Sequence, residues 1–186
     1  MKKIVVLTGS LSKPSRTRNL AETIAQRLAQ QWPASIQVID IADLGGDIAS
    51  ALSFQSIPAS VARAHQLLTQ ADVLILASPV YKGSYSGLFK HLLDLLDPKA
   101  LRGKVALLAA TGGSERHALV LDHQLRPLAS FFETITVPSG VYACDGDFVN
   151  YALELPQAVS TLARIDLVVN QALALLPPQE VLARAA

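Results

Sequence analysis

The sequence predicts an α/β fold: a doubly wound three-layer sandwich around a five-stranded parallel sheet in the order 2-1-3-4-5. Three observations predict it. Short β-branched runs alternate with longer helical patterns along the chain, as in parallel sheets joined by crossover helices. The runs lack polar alternation, which is expected when helices cover both faces of a sheet. Polar loops also follow three of the runs, and open α/β sheets bind ligands beyond the carboxyl ends of their strands, near the point where strand order reverses. Period alone leaves the order open, so the order leans on those loops.

The strands are predicted over 3–8, 36–40, 73–77, 105–110 and 134–137. Helices are predicted over 19–31, 61–71, 87–96, 115–132 and from about 157 to 176. The stretch 45–60 holds a Gly-Gly pair, Pro58 and several small polar residues, and reads as a long surface connection. Leu176-Pro177-Pro178 ends the last helix, and 179–186 reads as a tail. With 186 residues and no linker composition, the chain is expected to form a single domain over 1–186.

Composition narrows the function. Hydrophobic residues make up 51% and charged residues 17%, which favours a buried parallel sheet, an oligomer, or both. Sixteen Lys and Arg against fifteen Asp and Glu leave a formal charge of +1, too small a field for a nucleic-acid partner. Apolar runs such as 73–77 and 105–110 fall far short of the roughly 20 residues that cross a bilayer, so no membrane span is expected. The N-terminal apolar stretch breaks at Thr8-Gly9-Ser10 and reads as a strand rather than a signal peptide. Cys144 is the only cysteine, which removes intrachain disulfides and fits a reducing cytoplasm. His65, His91 and His117 show no metal-ligand spacing, and no metal site is expected.

The first polar loop runs from Thr8 to Asn19 and combines hydroxyls, a helix amino terminus and two arginines, a set suited to a phosphate. Gly9 is its only glycine, so it matches neither GxGxxG nor GxxxxGK[ST]. The plainer reading is a polar loop with Ser15 or Thr17 as helix cap. The second loop, Ser78-Pro79-Val80-Tyr81-Lys82-Gly83-Ser84-Tyr85-Ser86-Gly87, offers a backbone shaped by Pro79 and Gly83 and two aromatic rings, features that can grip a flat heterocycle. Either tyrosine has packing as its alternative, Tyr85 more so than Tyr81. The third loop, Thr111-Gly112-Gly113-Ser114, permits close approach of a ligand to the main chain.

Taken together, Gly9-Ser10 with Ser15 and Thr17, Ser78-Pro79-Val80-Tyr81 with Ser86-Gly87 and Lys90, and Ala110-Thr111-Gly112-Gly113 resemble the NAD(P)H-dependent FMN reductases. The resemblance extends to about Val141. Within that family, 85–96 and 117–128 look most like the flavin reductases of two-component sulfonate monooxygenases. The resemblance implies a flavodoxin-like fold whose first loop holds the FMN phosphate and whose other loops hold the isoalloxazine. It assigns phosphate to Ser10, Ser15, Arg16 and Thr17, with Asn19 a weaker candidate. It assigns the ring to Pro79, Val80, Tyr81 and Lys82, loop ordering to Ser86, and the pyrimidine side to Thr111, Gly112 and Gly113.

Two positions depart from the resemblance. Ser12 stands where many relatives carry arginine, which throws phosphate charge onto Arg16 or Arg18. His123 stands where the sulfonate branch often carries tyrosine, at an inserted residue that makes a π-bulge at a tetramer interface; a bulge is therefore expected near 118–124. Interface packing is favoured over proton transfer for His123.

The implied reaction is hydride transfer from NADH or NADPH to FMN, with the chemistry supplied by the cofactors and no catalytic side chain nominated. Reduced FMN would pass to a partner monooxygenase, and a homotetramer built as a dimer of dimers is implied. The alternatives are an FMN-retaining quinone, azo-dye or chromate reductase, a flavodoxin-like electron carrier, and, lower, a binding module without FMN.

Overall fold

In the computed structural model, which describes residues 1–178, strands β1 (Lys2–Thr8), β2 (Ala34–Asp40), β3 (Val73–Pro79) and β4 (Val105–Gly112) run parallel in the order β2-β1-β3-β4. Side chains alternate between two apolar layers. Val5, Leu7, Leu74, Leu76, Ala106 and Leu108 face one layer, while Ile4, Val6, Val73, Ile75, Val105 and Leu107 face the other. Because both faces are covered, apolar residues fill successive positions and the sequence shows unbroken runs.

Helix α1 (Arg16–Gln31) buries Thr17, Leu20, Ala21, Ile24, Ala25 and Leu28, a stripe at three- and four-residue spacing. It packs on the same face as α6 (Val159–Leu175), whose Ile165, Val168, Val169 and Ala172 join that layer. The opposite face is covered by α2 (Ile41–Ser50), α3 (Ala59–Gln70), α4 (Gly87–Asp94) and α5 (Arg126–Phe131).

The fifth strand corrects the sequence reading. It comes in two pieces, β5 (Ile135–Thr136) and β6 (Val141–Cys144), both paired with β4, so the order 2-1-3-4-5 holds while the strand runs well past 137. Val105 pairs with Ile135 and Ala109 with Val141, so six steps along the fifth strand match four along β4. The excess falls at Pro138-Ser139-Gly140, where proline cannot donate to a ladder. Side chains satisfy the broken backbone instead: Arg126 donates to the carbonyls of Val137 and Pro138, Arg164 donates to that of Gly140, and Gln171 accepts from the Ser139 amide.

Two further expectations change. Part of the stretch read as a connection from 45 is helical, because Asp40 caps α2 by accepting from the Ala42 amide at 3.1 Å and Ile41 and Ile48 are buried. The Gly-Gly pair interrupts the helical path, since Gly45 at a φ of 26° is non-helical and divides α2 into two short pieces across a kink. The predicted helix 115–132 is composite: a 3₁₀ turn (Glu115–His117), a π-helical segment (Leu121–Leu125) and α5. The π segment overlaps the expected bulge. The remaining boundaries differ by a few residues at helix and strand ends, and the expected tail 179–186 lies outside the described residues.

Candidate functional site

The strand order reverses between β1 and β3, since the chain runs outward to β2 and then returns to the other side of β1. The loops after β1, β3 and β4 meet there. A cavity of about 210 Å³ is lined by Ser10, Ser15, Arg16 and Thr17 of the first loop, Pro79, Val80 and Tyr81 of the second, and Thr111, Gly112 and Gly113 of the third. Ser12, Pro14, Asp145 and Tyr151 complete its wall. A second cavity of about 550 Å³ shares Val80 and Gly113 with it and adds Lys82, Gly83, Ser114 and His117. The smaller cavity alone falls below the roughly 300–1,000 Å³ of a small-molecule site, and the shared wall extends it.

Hydrogen bonds hold the loops together. The Gly9 amide donates to the Ala77 carbonyl at 2.8 Å, and the Ser86 hydroxyl donates back to the Gly9 carbonyl at 2.6 Å. Only glycine fits at position 9, because a Cβ there would lie 2.9 Å from Ser78 Oγ and 3.0 Å from both Ser86 Oγ and Phe89 Cβ. Thr17 and Thr111 share a hydroxyl hydrogen bond of 2.6 Å, which joins the start of α1 to the end of β4. The Val80 amide donates to the Thr111 carbonyl at 2.8 Å.

Beyond Val80 the second loop closes into a tight turn, with Tyr81 and Ser84 exchanging backbone bonds across Lys82 and Gly83. Both central residues have positive φ, 52° and 88°. Ser84 also donates to Gln124 Oε1 at 3.0 Å, which ties this turn to the π-helical segment. The two tyrosines separate: Tyr81 lines the polar cavity, whereas Tyr85 packs beside Phe89 and against the core. A Cβ at Gly112 would overlap the Tyr142 hydroxyl, which donates to the Ser114 carbonyl at 2.7 Å.

Ser15 is the N-cap of α1 and accepts from the Arg18 amide at 3.1 Å. No acidic residue occupies the first turn of α1, so its amino-terminal partial charge is left free to act on an anion. Arg16 lies over the Tyr151 ring at 5.1 Å, and its buried Nε has no hydrogen-bond partner among the described residues. A buried donor without a partner is costly, and a phosphate oxygen would satisfy it. Arg18, the other sequence candidate for phosphate charge, is diverted to Glu22 and to the buried carboxylate of Asp40. Asn19 is also drawn away, since its Oδ1 accepts from the Leu153 amide at 2.9 Å.

Two wall residues escaped the sequence reading. Asp145 and Tyr151 follow β6, on a 3₁₀ turn (Asp145–Asp147) and on a hairpin of β7 (Phe148–Val149) and β8 (Ala152–Leu153). Their signal was available in the run Val141-Tyr142-Ala143-Cys144 followed by Asp145-Gly146-Asp147. Burial first, then the carboxylates of Asp147, Glu115 and Asp145, push the Cys144 thiol above its ordinary value, which disfavours the thiolate. Among the described residues, no group of three or more His, Cys, Asp and Glu is placed to hold a metal ion.

Comparison with known proteins decides the family. The NADPH-dependent FMN reductase family matches residues 2–148. The chain belongs to the NADPH-dependent FMN reductases. It is an oxidoreductase, of a family that reduces FMN with a nicotinamide nucleotide as the reductant. An NADH-dependent FMN reductase, SfnF, of Pseudomonas fluorescens is 50% identical over 151 residues, 81% of each chain. An NADH-dependent FMN reductase, SfnE, of Pseudomonas putida is 41% identical over 183 residues, 98% of this chain and 97% of its own. The solved structure of an oxidoreductase from Corynebacterium diphtheriae superposes with a TM-score of 0.83 at 34% identity, covering 94% of this chain and 96% of that one. The fold is flavodoxin-like, and this FMN reductase keeps the β2-β1-β3-β4-β5 order.

Proposed function

We propose that this chain reduces FMN with NADH or NADPH and releases reduced FMN to a flavin-dependent monooxygenase, in the assimilation of sulfur from sulfonates. The observation that carries the site assignment is the convergence of the three loops on one cavity that ends at the amino terminus of α1, beside the unpartnered Arg16 Nε. The relatives SfnF and SfnE, both NADH-dependent FMN reductases, support the reduction of FMN, and the resemblance of 85–96 and 117–128 supports the physiological context.

FMN, when bound, supplies the acceptor for the nicotinamide hydride. The protein's part is alignment. Ser10, Ser15, Arg16 and Thr17 would hold the phosphate, with Arg16 giving charge and the α1 terminus giving amides. Pro79, Val80, Tyr81 and Lys82 would hold the ring, with Thr111, Gly112 and Gly113 on its other side. Ser86 fixes the second loop to the first through Gly9. Asn19 acts on this site only through the hairpin it anchors.

The same reading includes one domain, a cytoplasmic location and a homotetramer. No helix among the described residues is long and apolar enough to cross a membrane. Association is supported by exposed Phe54, Leu119 and Phe131, two of which line an apolar cavity of about 750 Å³ between α4 and α5. His123 lines that cavity too, away from the polar site.

The direct test is anaerobic NAD(P)H oxidation by dialysed protein with and without FMN. Turnover that requires added FMN and saturates in it is the expected result. Retention of FMN through dialysis with ping-pong kinetics would replace this reading with an FMN-retaining reductase of another acceptor. Absence of flavin reduction with either nucleotide would remove it.

A further inference from the structure

We propose, resting on the phosphate placement given above, that Asp145 lowers the protein's affinity for the phosphate end of FMN and thereby keeps the flavin exchangeable. Asp145 lines the same cavity as Ser10, Ser15, Arg16 and Thr17, at the carboxyl end of the fifth strand. Its Oδ1 lies 3.5 Å from Arg16 Nη1, and its Oδ2 is 4.0 Å from where a Cβ on Gly113 would stand. The carboxylate therefore sits between the first and third loops, on the cation that a phosphate needs.

Its neighbour Asp147 holds it there. Asp147 Oδ2 accepts from the Cys144 amide at 2.8 Å and from the Thr161 hydroxyl at 3.0 Å, so Asp147 is spent on fixing the turn. Among the described residues Asp145 makes no such bond. Its contact with Arg16 is longer than the roughly 2.7–2.9 Å of a charge-assisted hydrogen bond. The two side chains are 40% and 54% exposed, a setting in which an ion pair contributes little.

The sign of the effect follows from what else holds Arg16. Its guanidinium is stacked on Tyr151, at the tip of a hairpin whose Leu153 amide is anchored on Asn19. Removing Asp145 thus costs Arg16 little orientation. Keeping Asp145 sets a negative charge against a phosphate that carries nearly two charges above about pH 6, and makes the two anions compete for one guanidinium. Repulsion and competition act in the same direction, and both outweigh the loose pair. An enzyme that must deliver reduced FMN to another protein gains from such a residue, because a tightly held phosphate would slow release.

The test is titration of the full chain with FMN and with riboflavin, which has the ring but no phosphate. Asp145→Asn, and Asp145→Ser as a second variant, should bind FMN about three- to fivefold tighter and release it more slowly by a similar factor. Riboflavin affinity should not move. Asp166→Asn, which makes the same charge change at a remote pair with Arg27, should leave both ligands unaffected. Equal or weaker FMN binding in the Asp145 variants overturns the proposal, as does equal tightening of riboflavin or an equal gain in Asp166→Asn. Arg16→Leu separates the two levels. If the wild type does not prefer FMN to riboflavin, or if Arg16→Leu keeps that preference, the phosphate placement itself falls and Asp145's role falls with it.

Discussion

The polar cavity at the carboxyl edge of the sheet and the apolar cavity between α4 and α5 differ in ways that reverse a reading by size. The apolar one is the larger, about 750 Å³ against 210 Å³, and is lined by Leu93, Leu96, Pro127, Leu128, Phe131 and Phe132. Its lysine, Lys90, is already paired with Asp94. The polar one holds the amino terminus of a helix whose own first turn carries no acidic residue, and an arginine Nε without a hydrogen-bond partner among the described residues. Volume measures how much can be buried, whereas unsatisfied donors measure what must be bound. The first cavity offers apolar area of the kind the proposed homotetramer would bury, and the second suits an anion.

Three substitutions break or sharpen that contrast. Arg16→Leu removes the charge at the polar end and should weaken FMN binding by roughly ten- to a hundredfold, the range for a lost charge-assisted hydrogen bond. Flavin fluorescence titration reads it, and an unchanged Kd would mean that the phosphate lies elsewhere. Gly9→Ala should act on the scaffold of the same site. Its Cβ would press on Ser78, Ser86 and Phe89, costing about 1–3 kcal/mol. Thermal unfolding should show the loss as a shift of about 2–4 °C per kcal/mol, and an unaltered Tm would show that the loops part easily. Phe131→Ser, at the other cavity, should leave FMN affinity of the subunit within error while shrinking the assembly seen by light scattering. A change in flavin affinity with no change in mass would couple the two cavities instead of separating them.

That coupling has one visible route. Ser84, in the turn beside Tyr81, donates to Gln124 of the π-helical segment, whose neighbour His123 lines the apolar cavity. The segment therefore lines the apolar cavity and is bonded to the loop that carries Tyr81, a place where an irregular helix is expected to be retained.

Local chemistry determined much of this protein from the sequence alone. Strands β1, β3 and β4 are apolar runs, α1 is an apolar stripe behind a serine cap, and the three polar loops are polar because each follows a strand and must turn at the sheet edge. The three loops were legible for that reason, while the resemblance to the FMN reductases singled out Ser10, Ser15, Arg16, Thr17, Pro79, Val80, Tyr81, Thr111, Gly112 and Gly113 within them, and these line one cavity. Lys82 was legible as part of its loop, but its place in the adjoining cavity follows from a turn with positive φ.

Only the tertiary structure decided where competing side chains went. Arg16 and Arg18 are equivalent in sequence, two residues apart in one loop. One meets Tyr151 and Asp145 from the segment after the fifth strand, and the other meets Asp40 at the end of β2. Asn19 looked like a ligand group until the β7–β8 hairpin took its carbonyl oxygen. The fifth strand was hidden by Pro138, because its continuation depends on Arg126, Arg164 and Gln171 arriving from distant positions to satisfy the broken backbone. Contacts made by residues far apart along the chain leave no period to read, and these contacts placed Asp145 beside Arg16.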